Sequence, residues 1–175
     1  SGHLAAVGYE LYLDLLERTI REYKGEEPEP ERPDPEIAIP IAAFLPEDFI
    51  PDADQRLLAY KWLATLSDET AIDDLAVEWR DRYGAFPEST RNLILLAKVR
   101  LLFKKLAIVR LDGDEETFVL HFSPQVDLMQ ILTRIEESRC VYALETDKRL
   151  RVEIWGRSMA QRLSRLKRML QGQGE

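Results

Sequence analysis

The hydrophobic pattern of this 175-residue chain changes period after Ala107, and that change limits the fold more than any other feature. Before it, apolar residues recur every three to four positions, which places them along one side of a helix. After it, "IVRLDGD" and "ETFVLHF" alternate, as strands with one buried face do. In the first part, Tyr9, Tyr12, Leu13, Leu16, Ile20 and Tyr23 predict a helix over 8–24, stopped by Gly25. A second helix is predicted from Ala53 to Leu66, with Leu58, Trp62, Leu63 and Leu66 inward. Ser67 or Asp68 caps a third, which ends at Gly84, a residue that takes a left-handed conformation at little steric cost. Pro87 opens a fourth that runs to Leu106. It is apolar almost all round (Leu93, Ile94, Leu96, Val99, Leu102, Phe103), so it is expected to be the buried central helix.

In the second part, Asp112-Gly113 is a hairpin signal between the two alternating runs. "PQVDLMQILTRIEES" reads as helical, and "CVYALET" and "RLRVEIW" as strands joined near Asp147. "SMAQRLSRLKRML" is a last amphipathic helix with Met159, Leu163, Leu166 and Leu170 on one face. The proline-bearing "EIAIPIAAFLPEDFIP" predicts edge strands or extended loops. The expected fold class is α+β: a helical N-terminal half, then a small mixed β-sheet unit with helices.

Between the first helix and the rest lies "EEPEPERPDPE". Its prolines remove backbone donors and its acids repel, so it is expected to be an extended linker. The acids Glu26, Glu27, Glu29, Glu31, Asp34 and Glu36 face one base, Arg32. The other end of the chain is basic: Lys148, Arg149, Arg151, Arg157, Arg162, Arg165, Lys167 and Arg168 surround one acid, Glu153. Such polarity either steers a partner or marks solvated surfaces. The net charge of −8 does not imply generic nucleic-acid binding. No apolar run approaches the ~20 residues of a membrane span, and no signal peptide is expected. A single cysteine, Cys140, cannot form an internal disulfide, which fits a reducing cytoplasm.

The motifs of nucleotide chemistry are absent: no G-x-x-x-x-G-K-[ST], no G-x-G-x-x-G. His3 and His121 are the only histidines, and a zinc site would need carboxylates from scattered places. Cys140 reads as a small buried hydrophobe, and a Cys140–His121 pair would lack a third group. The acid runs at 73–74 and 114–116 lack the apolar surroundings that would raise a pKa for acid/base work. No enzyme activity, metal or cofactor is expected of the chain itself.

"AVEWRDRYGAFPEST", residues 76–90, holds the candidate contact residues. At about 100° per residue, Ile72, Leu75, Ala76, Trp79 and Tyr83 gather on one side of the third helix. Asp74, Glu78 and Asp81 gather on the other, with Arg82 on the flank. Glu78 and Arg82 are four apart and can pair for ~0.3–0.5 kcal/mol. Asp81 sits where the helix dipole disfavours an acid. The residues alone allow a solvated face or a polar patch that meets another surface, with Arg82 able to take a carboxylate bidentately.

Two stretches carry a family resemblance. "PEIAIPIAAFLPEDFIPDADQRLLAYKWLA" and "AVEWRDRYGAFPESTRNLILLAKVRLLFKKLAI" resemble the C-terminal (TRCF) domain of the bacterial transcription-repair coupling factor family, Mfd. The carrying motifs are "LPEDFIPD" with Arg56 and Tyr60 behind it, and E-x-x-D-R-[FY]-G-x-x-P from Glu78 to Pro87. The likeness covers Glu36 to Leu170, more strongly before Ile108. Trp79 stands where an aliphatic residue is common and Arg80 replaces an apolar one, which enlarges the charged patch. "SGHLAAVGYELY" is similar to the tail of the family's motor part.

The resemblance implies a division into 1–25, the motor's tail; 26–35, the linker; and 36–175, a C-terminal regulatory domain. In the family, an ATP-driven DNA translocase engages stalled RNA polymerase and recruits UvrA through a UvrB-like N-terminal module. The C-terminal domain folds back on that module, hides its UvrA-binding face and restrains the motor. Carried over, the motif points to Glu78, Asp81 and Arg82 as the interdomain contact. ATP and magnesium belong to the motor part, UvrA and RNA polymerase are indirect partners, and no membrane is involved. The alternative is an auxiliary module that touches DNA or RNA polymerase through Arg157, Arg162, Arg165 and Arg168.

Overall fold

The structure, a computed structural model, describes residues 33–172 together with Leu16, Thr19, Ile20 and Tyr23. The helix expected over 8–24 and the linker up to residue 32 therefore lie largely outside the described residues. The four described positions are helical; Leu16 is buried, whereas Tyr23, expected inward, is exposed. The chain divides into two compact units, one of residues 1–31 and 42–101, the other of 32–41 and 102–175.

The first unit is helical: α1 (Ala53–Thr65), α2 (Glu69–Tyr83) and the greater part of α3 (Glu88–Leu106). Side chains close the starts of α1 and α2. Asp52 Oδ1 accepts the Gln55 N–H at 2.8 Å before α1, and Asp68 Oδ1 the Ala71 N–H at 2.8 Å before α2, each satisfying an otherwise orphaned amide. Gly84 ends α2 with a φ of 93° and donates its N–H to Arg80 O. Leu45, Phe49, Ile50, Leu63, Ile72, Leu75, Trp79, Leu93 and Ala97 share one core. Loop and helix are tied by polar bonds as well: Asn92 Nδ2 donates to Ala42 O at 2.9 Å, and Ser89 O accepts the Phe44 N–H at 3.2 Å.

The face of α1 is a correction. Leu63 is buried and Leu66 half-buried, as expected, but Leu58 and Trp62 are 48% and 46% exposed. Five of its positions are large and apolar or aromatic (Leu57, Leu58, Tyr60, Trp62, Leu63), so periodicity left the buried side ambiguous. Two polar side chains settle it. Tyr60 Oη accepts the Leu45 N–H at 2.7 Å, and Arg56 Nη1 donates to Ile50 O at 2.8 Å and Pro51 O at 3.1 Å. Residues 56, 59, 60 and 63 thus turn toward the 45–51 loop and core, and Leu58 and Trp62 turn away. The same bonds give Arg56 and Tyr60 their place in the "LPEDFIPD" motif: they staple it.

The second unit holds a five-stranded sheet in the order β1-β2-β3-β5-β4, with β1 (Glu36–Ala38), β2 (Ile108–Gly113), β3 (Thr117–Phe122), β4 (Tyr142–Thr146) and β5 (Arg149–Glu153). β1 runs parallel to β2, and every other pair is antiparallel, so the sheet is mixed as expected. The proline-bearing segment supplies only the short edge strand β1, which lies between Pro35 and Pro40 and holds no proline itself. Helices α4 (Met129–Glu137) and α5 (Met159–Leu170) complete the unit, joined where Arg134 Nη1 donates to Leu170 O at 2.6 Å. Phe118, Leu120, Leu150, Val152, Ile135, Leu163 and Leu166 are fully buried.

The hairpin turn is a second correction. Asp112 and Gly113 belong to β2, and the turn falls at 114–116. Asp114 Oδ1 accepts the N–H groups of Glu116 and Thr117 at 2.9 and 2.8 Å, a side-chain-built turn that keeps its carboxyl below the usual carboxylate range. Asp112 instead lies bidentate on Arg110 and 2.8 Å from His121 Nε2, which makes the β2–β3 face a charged network. His121 therefore has a structural place.

Candidate functional site

Glu78, Asp81 and Arg82 all project from the last two turns of α2 and are exposed. Ile72, Leu75 and Trp79 on the opposite side are buried, so packing fixes which way the charges point. Three rings set the end of the helix. Phe49 meets Tyr83 edge-on at 5.6 Å and Phe86 at 5.7 Å, and Tyr83 Oη donates to Gln55 Oε1 at 3.1 Å. Such contacts between rings add ~0.5–1.5 kcal/mol beyond their buried area and hold the turn that follows. Sequence reasoning missed this seat. Its signal was present, since Phe49 and Phe86 both closely precede a proline.

No ion pair joins Glu78 to Arg82 among the described residues. Arg82 lies over the Tyr83 ring at 5.3 Å, and Arg80 over Phe86 at 5.0 Å. The patch presents two acids without an internal salt bridge, two arginines whose planes rest on rings, and the exposed Val77 between them. Chemically it offers charge-assisted hydrogen bonds at a rigid helix end.

The four C-terminal arginines do not form one surface. Arg162 is 3% exposed, stacks 4.5 Å over Phe118, and donates through Nε to Ile154 O at 2.7 Å and through Nη1 to Asp114 O. It ties α5 to the hairpin turn and the end of β5, and burial lowers its pKa. That corrects its place in the basic contact surface. Arg165 is half-buried; Arg157 and Arg168 are exposed. Cys140 is half-buried rather than core, donates to Glu153 O at 2.7 Å, and has its pKa pushed up by burial. Among the described residues no three His, Cys, Asp or Glu side chains are grouped to hold a metal, and no helix is long and apolar enough to cross a membrane.

A helical unit with charges fixed at one helix end, and a second unit around a mixed sheet, define an α+β scaffold. Its fold is that of a solved structure described as the C-terminal domain of transcription-repair coupling factor. The TM-score is 0.68 at 16% identity, over 79% of this chain and 92% of that one. The model of the TRCF domain family matches residues 39–131, more than half of the chain. The chain belongs to the TRCF domain family. It is 32% identical over 151 residues to the transcription-repair-coupling factor of Haemophilus influenzae, and 35% identical over 127 residues to that of Escherichia coli. Those alignments cover 83% and 70% of the chain, and the chain spans 13% and 11% of the length of the two relatives.

Proposed function

We propose that this chain is a non-catalytic regulatory module of an ATP-dependent DNA translocase that acts in transcription-coupled DNA repair in the bacterial cytoplasm. In this reading residues 36–175 are the regulatory domain, 26–35 a linker and 1–25 the tail of the motor. Glu78, Asp81 and Arg82 are an autoinhibitory latch on the UvrB-like N-terminal module of the same protein. The latch masks the UvrA-binding face and restrains the motor until RNA polymerase is engaged. ATP and magnesium act in the motor part, and this module needs neither.

One observation carries the reading: the motif's charged residues stand exposed on a helix end held by the aromatic packing of Phe49, Tyr83 and Phe86. A patch that needs no internal partner is preorganised for an external one. Charge pairs suit a contact that must open, because they release into water more easily than a dry apolar interface. A tether raises the effective concentration of such a weak contact, and a partner that prefers the open form then shifts the population.

The test replaces Glu78 and Asp81 with alanine together in the full-length protein. Basal ATPase rate and UvrA binding are then measured without RNA polymerase. Both rise, with an unchanged melting temperature, if the patch is the latch. If neither moves, the charges are a solvated face.

A further inference from the structure

A cavity of about 610 Å³ opens in the sheet-bearing unit between the loop after α4, the end of β5 and α5. Its apolar floor is Ile154 and Met169, both buried, and Trp155 stands beside them 72% exposed. Tryptophan is enriched among the residues that carry binding energy at interfaces. Arg165 holds this one in place: its guanidinium lies 5.3 Å from the ring centroid and donates to Trp155 O at 2.5 Å. Arg165 Nε is buried with no acceptor among the described residues. Arg139 and Arg168 bring two more cations to the wall, and Glu137 and Glu153 bring two acids. Arg139 holds a φ of 56° just past the end of α4, the left-handed conformation in which helices commonly stop, and this sets where its side chain leaves the turn.

We propose that this cavity is a docking site for an extended acidic peptide segment with one large apolar or aromatic anchor residue. The anchor fills the floor against Trp155 and Ile154, and its flanking carboxylates meet Arg168 and Arg139. Charge complementarity selects this occupant. Arg139 and Arg168, both exposed on the wall, match isolated carboxylates, for which Arg is the bidentate partner. The backbone N–H groups of an extended peptide have acceptors in Glu137 and Glu153. The same two acids repel the closely spaced phosphates of a nucleic acid, and Arg162 is buried rather than available to offset them. The volume lies in the range of ligand sites and holds a few side chains, not a folded element. β4 also leaves the cavity wall at Cys140 to run as an edge strand of the sheet, a surface that suits an extended partner.

The experiment titrates the isotope-labelled 175-residue chain with the capped peptide Asp-Glu-Phe-Asp-Glu and follows amide and indole NMR shifts. Controls are the neutral peptide Asn-Gln-Phe-Asn-Gln and a ten-residue oligothymidylate. The acidic peptide should shift the Trp155 indole and residues 138–140. The neutral peptide should bind about tenfold more weakly or worse, since its charged contacts are lost. Arg168→Glu should weaken the acidic peptide by a similar factor, and Trp155→Ala should abolish the anchor's contribution. Both positions are exposed, so each variant should keep the wild-type amide spectrum elsewhere. The proposal is overturned if millimolar acidic peptide shifts nothing, if neutral and acidic peptides bind alike, or if both variants bind as wild type does. Tighter binding of the oligothymidylate to the same resonances would also overturn it and assign the cavity to single-stranded nucleic acid.

Discussion

A Cβ on Gly113 would lie 2.6 Å from the Phe118 ring and 2.8 Å from Ile39 Cγ2. Phe118 has no room to yield, because it is fully buried and lies beneath the Arg162 guanidinium. Gly113→Ala should therefore destabilise the chain by ~1–3 kcal/mol, the usual cost of overpacking, read as a lower urea midpoint. A turn glycine would behave differently, tolerating alanine wherever its φ is negative. The sequence signal Asp-Gly was thus real, but its cause was steric contact across the hairpin, which no local pattern encodes. Tyr60 makes the opposite case. Tyr60→Phe keeps the ring and removes the acceptor of the Leu45 N–H. Leaving that half-buried amide unpaired should cost ~1–3 kcal/mol in the same urea experiment. Insensitivity to Tyr60→Phe would mean that water replaces the hydroxyl, and that the motif tyrosine is kept for its ring.

At the scale of elements, long periodic segments were legible and faces were not always. Helix α3 and the antiparallel strands fell close to the expected residues because Leu93, Val99 and Phe103, and then Phe118 and Leu120, leave no second solution for burial. On α1 the apolar residues surround the axis, and hydrogen bonds from Arg56 and Tyr60 to the 45–51 loop chose the side. Those bonds are tertiary and invisible to a helical repeat. On α5 the charges were the difficulty. Arginines 162, 165 and 168 look equivalent in sequence, yet the helix turns one into the core and leaves one in water. Arg162→Met should cost ~2–4 kcal/mol, because it leaves the Ile154 and Asp114 carbonyls short of a charged donor. Arg168→Met should stay within about 0.5 kcal/mol of wild type. Paired denaturation curves check both, and equal small effects would return Arg162 to the surface.

For the whole molecule, the sequence held the patch but not its mounting. The E-x-x-D-R spacing places Glu78, Asp81 and Arg82 near one helix end, whereas Phe49 and Phe86 come from separate loops and meet Tyr83 only through the fold. On the proposed function, a contact mounted this way answers to ionic strength. Exposed charge pairs are screened over a Debye length of ~8 Å at physiological salt and ~3 Å at about 1 M, while the aromatic seat beneath them is not. In the full-length protein without DNA or RNA polymerase, raising salt should lift the basal ATPase rate toward that of the Glu78→Ala, Asp81→Ala variant. The variant lacks the two acids whose contacts salt would screen, so its rate should change little over the same range. The difference between the two curves isolates the patch from any effect of salt on the motor. If wild type and variant rise in parallel, salt acts on the motor alone, and Glu78 and Asp81 do not hold it.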